Sequence, residues 1–234
     1  MLNGCLSLIC IIISVLIGLK IISKYLKTKE PTFLFVGLTW IGIFTPWLPS
    51  AIGFLSYLIF EIEITAFFYF LISGISAVFI VFVWMMSFCF LTNKKRYIAV
   101  VATIETAIIE IIYLIFLFVD ISLVGSVKSP VDASYEILGI LLYLNLMVIF
   151  ISTTSVFGYE SLHSFDEEIK IKGYFLLIGS YMFVISAFFD AVFDLEILFL
   201  TIIRIFLMTS GILFYFGFIL PEAVKKLFLT ENNN

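Results

Sequence analysis

The chain alternates between seven long apolar runs and short stretches that hold nearly all of its charge. A helix rising 1.5 Å per residue needs about 20 apolar residues to cross about 30 Å of hydrocarbon, and each run reaches roughly that length. The pattern predicts helices over residues 5–22, 33–60, 64–91, 97–119, 134–159, 173–192 and 197–220. The expected fold is therefore all-α: a polytopic membrane protein built as a seven-transmembrane-helix bundle. The connecting stretches are short, so residues 1–234 are expected to form a single seven-helix transmembrane domain with no separate soluble unit.

Polar and helix-breaking residues refine this pattern. The first run has no basic leader and no small-residue cleavage site after it, and it ends among Lys20, Lys24, Lys27 and Lys29 before Pro31. It reads as a span rather than a removable signal. Pro46 and Pro49 lie inside the second run, where each deletes a backbone donor, so a kink and a candidate hinge are expected there. The longest connection, 120–133, carries Gly125, Lys128 and Pro130 and reads as a loop.

Composition agrees with the pattern and charge orients it. Hydrophobic residues make up 63% of the chain and charged residues 13%, with a mean hydropathy of +1.22, far from soluble globular proteins. Eleven of the 13 basic residues fall in alternate connections (Lys20 to Lys29, Lys94 to Arg96, Lys170 and Lys172, Lys225 and Lys226), while Lys128 lies on the other side. The positive-inside bias then gives N-terminus out and C-terminus in. The lipid bilayer is the principal partner, and the expected location is the cell membrane as a multi-pass protein. A net charge of −4 without a basic face excludes a nucleic-acid partner.

Candidate chemistry centres on Arg204, the one basic residue inside an apolar run. A guanidinium at that depth costs roughly 2.5–3.5 kcal/mol on insertion scales, so it is expected to face protein or water and to find an acidic partner. Asp190 and Glu110 lie at similar depths on other helices, and pairing of Arg204 with one of them is expected. Glu105 is rotated about 140° from Glu110 at 100° per residue and is expected to reach toward Lys94, Lys95 and Arg96 or toward cytoplasmic water. Tyr69 and Tyr113 are candidate walls of the same ligand or ion-pair cluster, which also takes in Glu105 and Asn145, and Asp194 marks the outer end of the sixth helix. Cys5, Cys10, Cys89 and the single His163 have no metal-ligand spacing, and no H-x-x-x-H or G-x-S-x-G motif occurs. Neither enzymatic activity nor a metal or other cofactor is expected.

The stretches PWLPSAIGFL (46–55), SPVDASYE (129–136) and FILPEAVKKLF (218–228) resemble uncharacterised archaeal seven-helix membrane proteins. The topology is similar to that of receptors and microbial rhodopsins. The rhodopsin chromophore is attached to a lysine midway along the last helix, where this chain has Arg204 and no lysine before Lys225, so retinal is not implied. The resulting expectation is a receptor-like or sensory protein with a polar pocket in the outer half of the bundle. It would take a small anionic ligand there and signal through a cytoplasmic protein partner. The alternatives are a small-solute or proton transporter or channel, with Glu105, Glu110, Asn145 and Arg204 along its path, and a structural membrane protein without a ligand.

Overall fold

A computed structural model describes residues 1–92, 96–193 and 195–229. Lys94, Lys95 and Asp194 lie outside the described residues. Its elements are α1 (Leu2–Thr28), α2 (Pro31–Gly42), α3 (Leu48–Phe60), α4 (Ala66–Gly74), α5 (Ala77–Thr92), α6 (Tyr97–Val119), β1 (Gly125–Ser129), β2 (Asp132–Tyr135), α7 (Ile137–Leu162), α8 (Glu167–Val192), α9 (Ile197–Phe218) and α10 (Glu222–Leu229). Among the described residues, seven helical segments are long and apolar enough to cross a membrane, with α2–α3 and α4–α5 each forming one crossing. The protein is an all-α, multi-pass membrane bundle.

Two crossings are interrupted. The second passes from α2 to α3 through a short 3-10 turn, Thr45–Trp47, where Pro46 has no N–H to continue the ladder. The third breaks after Gly74, without a proline. The two breaks face each other, and the Thr45 and Ser76 hydroxyls hydrogen-bond across them at 2.8 Å.

Other elements differ from the sequence pattern for local reasons. Charged residues 167–172 read as loop, yet α8 starts at Glu167 because Asp166 caps it, its carboxylate accepting from the Glu168 N–H at 2.8 Å. Ion pairs Lys170–Glu167 (2.6 Å) and Lys172–Glu168 (2.5 Å) support that first turn. The fifth crossing begins at Ile137 rather than 134 because Ser134 and Tyr135 belong to β2. The connection after α6 is not a plain loop: β1 and β2 pair antiparallel, with Gly125 opposite Tyr135 and Val127 opposite Ala133. After α9 the chain turns into α10, whose Phe228 ring packs edge-on against Phe175 of α8 at 5.6 Å.

The bundle turns many large apolar side chains outward, among them Leu16, Leu58, Phe118, Ile197 and Leu198, as expected where lipid replaces water. Small residues face inward and let the backbones approach: α1 buries Gly4, Ser7, Cys10, Ser14 and Gly18. At the α1–α2 crossing, a methyl group added to Gly18 or to Gly37 would lie 2.7 Å from the other glycine's carbonyl oxygen. Gly37→Ala is therefore expected to lower unfolding stability by about 1–3 kcal/mol through overpacking, measured by thermal or denaturant unfolding of the purified protein.

Two aromatic clusters fill the interior. The larger packs Trp40, Trp84, Phe150, Phe183 and Phe214 across five crossings. The smaller, under the hairpin, joins Tyr69, Phe70, Tyr113, Leu117, Val124 and Leu142. Between the larger cluster and the hairpin the packing opens.

Candidate functional site

That opening is a cavity of about 130 Å³ at the hairpin end of the bundle. Its lining comes from the first turn of α1, the Thr45–Trp47 turn, β2, α7, α8 and α9. Arg204 enters from α9 and is only 2% exposed. Its Nη1 donates to Asp190 Oδ2 at 3.0 Å and its Nη2 to Asn3 Oδ1 at 2.8 Å. The indole Nε1 of Trp47 donates to the same Asp190 oxygen at 2.5 Å, and the guanidinium carbon sits 5.5 Å from the Trp47 ring. Among the described residues, Arg204 Nε has no hydrogen-bond acceptor.

Asn3 extends this chain to the hairpin. Its amide nitrogen donates to Val131 O and to Asp132 Oδ1, each at 3.0 Å. Hairpin, α1, α9, α8 and the break in the second crossing are thus tied in one continuous run of polar contacts. Partial desolvation lifts the Asp132 carboxyl above its ordinary pKa, with the neighbouring Lys128 opposing the lift, although part of the residue remains exposed.

Of the residues singled out from the sequence, Arg204 and Asp190 meet as expected because α8 and α9 run antiparallel and both residues lie near the hairpin end. Tyr69 lines the cavity, its hydroxyl 2.6 Å from Ser50 Oγ. Pro46 lines it too, and its carbonyl accepts from Tyr135 at 3.4 Å, while Pro49 is buried in the first turn of α3.

Glu110 does not join Arg204. Its Oε2 accepts from the backbone N–H of Val78 at 2.6 Å, just past the break between α4 and α5, and so replaces the carbonyl an unbroken helix would supply. Glu110→Ala would leave that partly buried N–H bare and is expected to cost about 1–3 kcal/mol. Glu110→Gln keeps an acceptor oxygen and should stay near wild type, a contrast readable in unfolding midpoints.

Tyr113 is not a wall of the cavity. It lies against Gly74 and donates to Phe70 O at 2.7 Å. Glu105 and Asn145 form a separate pair in a shallow groove between α6 and α7, lined otherwise by apolar side chains such as Ile109 and Leu141. With its amide nitrogen toward Glu105, the orientation that satisfies both ends of the amide, Asn145 donates to the two carboxylate oxygens at 2.9 and 3.2 Å and accepts from Thr106 at 3.0 Å. Glu105 therefore turns to a helical neighbour at its own depth rather than along its helix toward Arg96.

Asn3, Asp132 and Tyr135 belong to the cavity but were not evident from the sequence, and Trp47 lines it beside them. Asn3 is the one amide in the first turn of an apolar helix, and Trp47 sits between two prolines; both are signals, though neither names a partner. At the opposite end, Lys225 of α10 pairs with Glu168 of α8 at 2.5 Å, and the carboxylate raises the Lys225 pKa. Among the described residues, no group of three or more His, Cys, Asp or Glu gathers in a way that could hold a metal ion. Comparison with protein-family models, curated proteins and solved structures finds no match for this chain, so the cavity is interpreted from its own geometry.

Proposed function

We propose that the protein is a receptor-like, sensory membrane protein. The hairpin end and N-terminus face outside, the C-terminus faces inside, and a small ligand binds in the Arg204 cavity. One observation carries this reading: a guanidinium buried in the bundle lines a cavity, and its Nε has no acceptor among the described residues. A guanidinium has five donors, and one serving only to lock helix packing would be expected to have them all satisfied.

The polar contacts suggest how occupancy changes the bundle. An acceptor brought to Arg204 competes with Asp190, and Asp190 also holds Trp47 on the Thr45–Trp47 turn. Slackening that contact frees the break in the second crossing, which the Thr45–Ser76 bond couples to the break in the third. Output to a protein partner would leave from the opposite end, where Glu168, Lys172 and Lys225 join α8 to α10.

The transport reading has less support, because its residues fall in three places. Glu105 and Asn145 occupy the α6–α7 groove, Glu110 is bound to Val78, and Arg204 sits in the cavity. In reconstituted liposomes no proton or solute flux is expected. Flux that disappears in Glu110→Gln would overturn the receptor reading. In a thermal-shift screen of small metabolites, at least one compound should raise the melting temperature, and Ala191→Leu, which narrows the cavity without touching the ion pair, should abolish that rise.

A further inference from the structure

We infer that the groove between α6 and α7 docks a transmembrane helix of another protein, one that carries a lysine or arginine at mid-membrane depth. The inference goes beyond the receptor reading and stands apart from the Arg204 cavity. Glu105 is exposed on the outward side of α6, among Val101, Ile104 and Ile108, each of which is more than half exposed. At 1.5 Å per residue, Glu105 lies about 12 Å from the nearer end of α6, and Asn145 about 12 Å from the nearer end of α7. The carboxylate therefore stands within the hydrocarbon, deeper than its short side chain can climb to reach water.

Asn145 gives Glu105 hydrogen bonds but no counter-charge. Among the described residues, no Lys, Arg or His lies within ion-pair distance of it. A charged group facing lipid is costly until an opposite charge joins it, and at low dielectric the attraction between the two is strong. What the groove lacks is a cation.

The shape of the groove indicates what carries that cation. Its volume is about 370 Å³ and its lining is otherwise apolar. The lining follows helical spacing, with Glu105, Ile109 and Ile112 on α6 and Leu141, Asn145 and Val148 on α7. Each stripe runs about 10 Å along its helix, a surface into which the side-chain ridge of a third helix can pack. α6 is also the least covered crossing, with 22% of its span buried against 28–44% for the other six.

Two other occupants fit less well. A lipid chain matches the apolar lining, but lipid charges stay at the headgroups, outside the hydrocarbon. A second copy of this chain has one basic residue inside an apolar run, Arg204, which is 2% exposed and already holds Asp190 and Asn3. The other basic residues lie in or beside the connections. A partner helix with a central lysine or arginine supplies what both lack.

The test uses the full chain in phosphatidylcholine vesicles and synthetic Trp-flanked Leu-Ala helices of about 23 residues, long enough to cross with some tilt. One set carries a single lysine at the centre or one turn to either side, and the control carries leucine there. Energy transfer between labelled protein and labelled peptide reads association. In at least one register the lysine peptide should bind at least about tenfold more tightly than the leucine peptide, as an ion pair in hydrocarbon requires. Glu105→Gln keeps the contact with Asn145 and should abolish that preference. Leu141→Trp fills the groove without touching the carboxylate and should weaken binding of the lysine peptide by a similar factor.

Equal binding of lysine and leucine peptides in every register would overturn the inference. So would a lysine preference that survives Glu105→Gln. Energy transfer between two labelled copies of the chain that disappears in Glu105→Gln would also overturn it, by giving the groove to a second copy.

Discussion

Asp190→Leu is expected to lower unfolding stability by about 3–5 kcal/mol, the usual cost of removing one partner from a buried ion pair. Asp190 is 14% exposed on its side chain and Arg204 2%, so solvent screens little of their contact. The substitution strands two donors at once, Arg204 Nη1 and the Trp47 indole, both of which end on Asp190 Oδ2. The double variant Asp190→Leu/Arg204→Met should recover most of the loss, because a buried pair exchanged for apolar groups of similar volume is often neutral. A double-mutant cycle from denaturant unfolding in detergent measures this directly. A loss below about 1 kcal/mol for Asp190→Leu alone would show that the pair carries no such weight.

Trp40→Ala should have an effect of similar size, about 3–5 kcal/mol, by a different route. Trp40 is fully buried where three crossings meet. It stacks on Phe214 of α9 at 4.1 Å and 18°, and touches Phe183 of α8 at 5.7 Å. Its own carbonyl accepts from Ser14 of α1 at 2.7 Å. Removing the indole leaves a void lined by rings that cannot all move inward. Leu58→Ala, at a position 61% exposed on the lipid side, is the matched control and should cost well under 1 kcal/mol in the same assay. Equal losses at the two sites would mean that burial inside the bundle counts for no more than contact with lipid.

Much of the architecture was legible in the sequence, and the reasons are physical. A crossing needs about 20 apolar residues, so its signal is long and survives local error. Its ends are set by single groups. Asp166 capped a helix through residues whose charge suggested a loop, and a few polar residues after α6 became a hairpin because Gly125 packs against Phe70 and the strands rest on the smaller aromatic cluster. Nothing in Lys128, Pro130 or Asp132 taken in order announces that register.

The site was legible only where depth decided it. Arg204 and Asp190 lie on consecutive antiparallel helices near their connection, and the long arginine side chain spans the difference in depth, so helix geometry sufficed to pair them. Glu110 was misplaced because depth does not give direction, and because the break that claims it, after Gly74, has no proline to mark it. Asn3 escaped notice because its partners are Arg204 and Asp132, 201 and 129 residues away. Contacts at that separation follow from how the crossings are arranged, which periodicity does not encode.

The indole of Trp47 has one further consequence. All three tryptophans pack in the aromatic core, but Trp47 alone among them also lines the cavity, with a carboxylate on its N–H and a cation over its face. An excited indole is sensitive to nearby charge, so the chain carries its own optical reporter of the cavity. Its emission can be followed without a label, and Trp47→Phe isolates its share of the signal from that of the other two tryptophans.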